Sequence, residues 1–127
     1  SLTYANQEAA ATDTVFWGLN GYWTPAETGT AIPSISVGYE MGTPDTGVDT
    51  DQWFVGLQWD EMGPGVLGTA IGSNGPQDET ADEVNMAEAF YTYPLNDSMT
   101  ITPVIYVEGG TGAESDTGYL VKTSFSF

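Results

Sequence analysis

The strongest constraint in this sequence is a period of two. Val15, Trp17, Leu19, Gly21 and Trp23 alternate with Phe16, Gly18, Asn20, Tyr22 and Thr24. Ala31, Pro33, Ile35, Val37 and Tyr39 oppose Ser34, Ser36, Gly38 and Glu40, and Trp53, Val55, Leu57 and Trp59 oppose Gln52, Gly56, Gln58 and Asp60. Ala87, Ala89, Tyr91, Tyr93 and Leu95 oppose Glu88 and Thr92. Met99, Ile101, Pro103, Ile105 and Val107 oppose Ser98, Thr100, Thr102 and Tyr106. Tyr119, Val121, Thr123, Phe125 and Phe127 oppose Lys122, Ser124 and Ser126. Successive side chains of a strand point to opposite faces, so such alternation predicts strands with one face away from water. A seventh segment, Val66 to Gly72, is apolar and Gly-rich without a clear face. No segment of helical length shows a 3.6 period between caps. The chain is all-β.

Length and punctuation narrow the class. Most alternating segments run about nine to eleven residues, enough to cross a bilayer at a tilt of ~45°. Strands of soluble sandwiches cluster nearer ~5–6 residues. Pro25-Ala26-Glu27-Thr28, Met62-Gly63-Pro64-Gly65 and Asn96-Asp97-Ser98 read as short turns. Asn6 to Asp13, Gly42 to Asp51, Ser73 to Glu83 and Glu108 to Asp116 read as longer loops. Short and long connections alternate, which puts all tight turns at one end of an up-and-down sheet. Outer-membrane barrels have this asymmetry. Trp23 and Trp59 fall at the turn end, and Tyr39, Trp53 and Tyr119 at the loop end, as the two aromatic girdles of such a barrel would.

Charge excludes other classes. The chain carries 18 Asp and Glu against a single Lys, with no His and no Cys, for a net charge of −17. One lysine cannot displace the counterions of a nucleic acid. Without His or Cys there is no ordinary zinc, haem or thiol centre and no catalytic triad. At 40% hydrophobic residues the chain is too apolar for a disordered acidic tail. The acids Glu8, Asp13, Asp45, Asp49, Asp51, Asp78, Glu79, Asp82, Glu83, Glu108, Glu114 and Asp116 all fall in the longer loops, which makes that end of the sheet negative. No stretch is long and apolar enough for a transmembrane helix, a test that does not see membrane strands.

The run Glu88-Ala89-Phe90-Tyr91-Thr92-Tyr93-Pro94-Leu95-Asn96-Asp97-Ser98-Met99-Thr100-Ile101-Thr102-Pro103 resembles the penultimate hairpin of cyanobacterial iron-uptake porins, where the pattern is E-x-F-Y-R-Y-x-L-(T/N)-D-N-I-(S/T)-I-T-P. Leu120-Val121-Lys122-Thr123-Ser124-Phe125-Ser126-Phe127 looks like that family's terminal strand with its closing aromatic. Gly63-Pro64-Gly65-Val66-Leu67-Gly68, after the Trp-bearing strand, fits the same order. The family belongs to the carbohydrate-selective porin superfamily. The resemblance implies an antiparallel up-and-down transmembrane β-barrel, about seven to eight strands of it here, as the C-terminal part of a roughly 16-stranded porin. It implies a single porin domain over residues 1–127, with Ser1 to Ala5 as the tail of a strand begun upstream. It also implies the outer membrane of a Gram-negative-type bacterium, a cyanobacterium. The partners implied are the bilayer and its lipopolysaccharide and a missing N-terminal barrel half, in a porin that is either a homotrimer or a monomer. The family's lumenal arginine is Thr92 here, and only Lys122 keeps a basic lumenal position, which removes the basis for anion selectivity.

The expected function is passive diffusion of small hydrophilic solutes or inorganic iron, with a preference for cations. Asn20, Glu40, Gln58, Asp60, Glu88, Thr92 and Lys122 are the pore-lining candidates. Inward carboxylates draw cations into a pore, but ordinary lumenal polarity would place the same residues there. Lys122 reads as a charge balance, gaining Coulomb stabilisation from an inward acid such as Glu88 if the two approach. Phe127 completes the girdle candidates and, as the resemblance implies, would serve barrel assembly. No catalytic residue and no cofactor is expected, because no pair of carboxylates has spacing that argues for hydrolysis. The alternative is a soluble secreted β-sandwich for binding or adhesion, with acidic loops able to take calcium. Asp45-x3-Asp49-x-Asp51 and Asp78-Glu79-x2-Asp82-Glu83 lack the EF-hand spacing, so a solvated negative rim is the simpler reading.

Overall fold

A computed structural model describes residues 1–7, 13–27, 31–75, 83–110 and 115–126. Eight strands follow one another: β1 (Leu2–Gln7), β2 (Thr14–Trp23), β3 (Ser34–Pro44), β4 (Thr50–Met62), β5 (Gly65–Asn74), β6 (Val84–Asn96), β7 (Met99–Gly110) and β8 (Asp116–Phe125). Each pairs antiparallel with the next, giving one sheet in the order β1 to β8. β1 and β8 make no contact, so the sheet is open at both edges. It is a single layer rather than two packed sheets.

The strands are longer than the alternation suggested. β4 and β6 each have 13 residues, β7 has 12 and β1 has 6. The even spacing of short and long connections also fails. Residues 24–33 separate β2 from β3 at the supposed turn end, so Pro25 opens a longer connection there. Residues 45–49 suffice between β3 and β4, because pairing continues through Thr14↔Pro44 and Gly42↔Thr50. Ladder pairing runs on past the apolar positions into residues that the loop punctuation had set aside. Asp51, Glu108 and Asp116 are consequently strand residues, and the last two face each other across β7 and β8. Two tight turns stand as expected. Gly63, with φ of 66°, lets β4 turn into β5, and Asn96 Oδ1 accepts the Ser98 backbone N–H at 2.9 Å between β6 and β7. β5, which lacked a clear face, gains one from its neighbours. Leu67, Thr69 and Ile71 pair with Trp59, Leu57 and Val55, so Gly68, Ala70 and Gly72 lie on the opposite face.

No hydrophobic side chain among the described residues is buried. Leu19 is 61% exposed, Ile71 53% and Val121 62%, all on one face. A sheet with a continuous apolar face normally covers it with another layer. Nothing among the described residues covers this face.

Registers also fix the tilt. Following the paired residues, Asp116 at the loop-side end of β8 is level with Glu108, Met86, Gly72, Phe54, Gly38 and Asn20, six residues beyond Thr14 at the corresponding end of β2. At the other end, Trp23 is level with Ile35, Leu57, Thr69, Ala89, Ile105 and Tyr119, six residues short of Phe125. Both ends advance by one residue per strand. With ~3.3 Å per residue and ~4.8 Å between strands, the strands tilt by roughly 35°. Closed barrels have tilts of about 35–45°.

Candidate functional site: the two faces of the sheet

Once the stagger is taken into account, the apolar face sorts into bands. Tyr4, Trp17, Tyr39, Trp53 and Tyr119 fall into one row near the loop end, and Trp23, Trp59, Tyr93 and Phe125 into another near the turn end. The rows stand roughly 16 Å apart along the axis, and the strands span roughly 25 Å in all. Tyr4 and Trp17 touch, with ring centroids 4.8 Å apart. Trp59 donates its indole N–H to the Ala31 carbonyl at 3.0 Å, and Tyr91 donates its hydroxyl to the Met62 carbonyl at 2.8 Å. These bonds satisfy the polar ends of two large aromatic side chains near the turns.

Between the rows lie Leu2, Leu19, Val37, Ile35, Val55, Leu57, Leu67, Ile101 and Val121, with Thr69, Thr123 and Tyr91 as the side chains that carry a polar atom, and Ile71 and Ile105 lie level with the loop-side row. Asn6, Asp51, Ser73 and Asn85 fall beyond the loop-side row. Charged and amide groups on this face therefore sit outside the aromatic rows. Tyr4, Trp17, Tyr93 and Phe125 were not among the sequence candidates, and Phe127 lies outside the described residues. Strand ends alone do not reveal these rows, because each strand is displaced relative to the last.

The other face encloses a hollow of about 660 Å³, lined from seven strands. Asn20, Glu40 and Glu88 line it, joined by Gln52, Tyr106 and Glu108, which had not been singled out for the pore. Gln52 donates its side-chain amide to Glu40 Oε1 at 2.9 Å, which holds that carboxylate across β3 and β4. Gln58 and Asp60 meet further toward the turns, the amide donating to Asp60 Oδ1 at 2.6 Å. Thr92 is paired hydroxyl to hydroxyl with Thr102 at 3.1 Å, on the rung that carries Lys122. Glu88 pairs with Tyr106 and thence with Gly118, four residues along β8 from Lys122. Two strands across and four residues along, the backbone positions of the two residues are roughly 16 Å apart. That exceeds the screening length of about 8 Å at physiological salt. The expected Lys122–Glu88 pairing is not made, because an intervening rung of β-branched and aromatic residues separates them. Of the acids assigned to the loops, Glu8, Asp78, Glu79, Asp82 and Glu114 lie outside the described residues.

This face is also less polar than alternation implied. Phe16, Phe54, Phe90 and Tyr106 lie directly opposite Gly42, Gly38, Gly68 and Gly118. A Cβ built on Gly38, Gly68 or Gly118 would clash with ring atoms of the partner. Each aromatic side chain therefore lies over a glycine of a neighbouring strand, in space that a side chain at that position would need. The signal was in the sequence as glycines on polar faces, but the pairing needed the register.

Compared with protein-family models, with curated proteins and with solved structures, the chain matches none.

Proposed function

We propose that this chain forms wall of an outer-membrane channel, a porin that lets small hydrophilic solutes or inorganic iron diffuse passively and prefers cations. One observation carries the reading: an uncovered apolar band bounded on both sides by aromatic residues, with charged and amide groups outside it, backs onto a hollow edged by carboxylates. Lipid is the cover that such a face fits, since amphipathic rings favour the headgroup level and charged side chains do not tolerate hydrocarbon. The strand span of roughly 25 Å suits the apolar height of an outer-membrane barrel. A tilt of roughly 35° is what a closed barrel of such strands would need.

Glu40, Glu88 and Glu108 set the sign of the selectivity. Carboxylates in a narrow wet lumen raise the local cation concentration, and among the described residues no basic side chain lines the hollow. Iron enters this reading through the resemblance of residues 88–103 and 120–127 to iron-uptake porins, as do the cyanobacterial outer membrane and a larger barrel with further strands. A soluble adhesive sandwich would need a second sheet over Leu19, Val37, Ile71 and Val121, and the described chain forms one sheet.

The test is electrical. In a planar bilayer under a salt gradient, channels formed by this protein should show a reversal potential of cation-selective sign. Anion selectivity would overturn the proposal and give Lys122 the dominant role.

A further inference from the structure

We infer that the hollow is a binding site for organic cations, with an alkylammonium or quaternary ammonium group held between carboxylates and aromatic rings. The inference rests on the channel reading above and names the class of solute that the hollow itself selects. On the rung shared by Gly38, Phe54, Gly72, Met86 and Glu108, Glu40 stands two residues toward the loops, and Glu88 and Tyr106 stand two residues toward the turns. Once the advance of one residue per strand is removed, Glu40, Phe54, Glu88 and Tyr106 come to one depth, within roughly 3 Å along the axis. Gly18 and Gly72 complete that level. From β2 to β7 it reads glycine, carboxylate, ring, and then glycine, carboxylate, ring again. All six residues line the hollow.

Each part of the repeat has its own use. A Cβ on Gly18 would stand 3.9 Å from Glu40 Oε2, so that carboxylate reaches over bare backbone while Gln52 holds its other oxygen. Glu88 faces Tyr106 directly across β6 and β7, and Glu40 is a diagonal neighbour of Phe54, close enough for long and aromatic side chains to share a ligand. Phe54 and Tyr106 are 46% and 44% exposed, so both rings are open to a solute. The face of a ring attracts an ammonium group, and a carboxylate beside it supplies the counter-charge. A metal ion asks instead for several converging oxygens. Among the described residues no three acidic groups are placed to hold one. A neutral polyol needs donors as well as acceptors, whereas carboxylates only accept and the Gln52 amide is already engaged. Ring, carboxylate and the lack of a lining base together select an organic cation.

The probes are choline and its uncharged isostere, which has a tert-butyl group in place of the trimethylammonium. Each is titrated by calorimetry into the protein in nonionic detergent micelles at low salt. Choline should bind, and the isostere should bind about tenfold more weakly or not at all. Phe54→Leu and Tyr106→Leu keep apolar bulk but remove a ring, and each should weaken choline about three- to tenfold. Glu88→Gln should weaken it at least as much. Asp97→Asn, which removes the same charge from the β6–β7 turn, should leave the affinity unchanged. Equal affinity for choline and its isostere would overturn the inference. So would a loss on removing the carboxylate with none on removing either ring, since plain charge attraction would then suffice. Glucose bound in place of choline would assign the hollow to neutral polyols and overturn it as well. The reversal potential in a planar bilayer separates this site from the channel reading. Cation selectivity without choline binding sinks the site alone, whereas anion selectivity removes the channel reading and the solute class with it.

Discussion

Adjacent residues of β4 carry opposite expectations. Leu57 lies on the apolar face between Ile35 and Thr69, in the middle of the band, whereas Gln58 lies on the hollow face beside Asp60. Leu57→Arg should therefore destabilise the lipid-embedded sheet by about 2–4 kcal/mol, the cost of a guanidinium near the bilayer midplane. Gln58→Arg should be tolerated, since the new charge meets a carboxylate in a wet space. Denaturant titration in micelles, followed by tryptophan fluorescence, measures both; equal damage would count against the assignment of faces. Gly38 gives a second expectation. Its Cβ position is occupied by the Phe54 ring, so Gly38→Ala should cost about 1–3 kcal/mol as an overpacked contact. In a double-mutant cycle with Phe54→Leu much of that penalty should disappear, because the smaller side chain vacates the space. Additive effects would mean that ring and glycine are not coupled.

At the scale of elements, turns and strands divide the work. The β4–β5 hairpin depends on Gly63 in a left-handed conformation that L-residues enter at a cost. Gly63→Ala should lower stability by about 1–2 kcal/mol while leaving the strand registers intact. The measurement is unfolding free energy alongside the amide β-signature; a lost register would show that the turn also selects the pairing. The aromatic rows depend instead on several strands together. Trp23 stands at the end of β2 and Tyr119 near the opposite end of β8, yet both lie on one rung of paired residues. Only the tilt of the strands returns them to different heights. An aromatic residue's position along its own strand and its depth in a tilted sheet are different quantities.

For the molecule as a whole, the absence of a buried hydrophobic side chain among the described residues is the governing fact. Hydrophobic burial is the main force that folds a soluble domain, and a single layer supplies little of it. The protein should therefore require detergent or lipid to stay dispersed, checked by sedimentation with and without micelles. A water-soluble monomer would sink the membrane reading. The hollow makes its own prediction. Replacing Glu40 and Glu88 with Gln removes two carboxylates from its lining without changing their shape. Cation preference, read from the reversal potential, should fall in the double variant and respond little to Asp97→Asn in the β6–β7 turn.

How much of this was legible in the sequence depends on whether a feature is local to one strand. Alternation in Trp53 to Trp59 or Met99 to Val107 specifies a strand and its two faces, because the period of two is a property of the backbone. Antiparallel order follows where a turn is written out, as at Gly63 and at Asn96-Asp97-Ser98. Register is different, since it is set by how neighbouring strands slide until their apolar faces coincide. Only that sliding brought Gln52 to Glu40, laid Phe54 over Gly38, and separated Lys122 from Glu88. It also staggered the strand ends, which moved residues 42–44 from loop into strand and sorted the aromatic residues into rows. The sequence by itself determined strands, faces and overall charge. The tertiary structure decided what lies beside what, because lateral contacts in a sheet depend on offsets between strands that no single strand encodes.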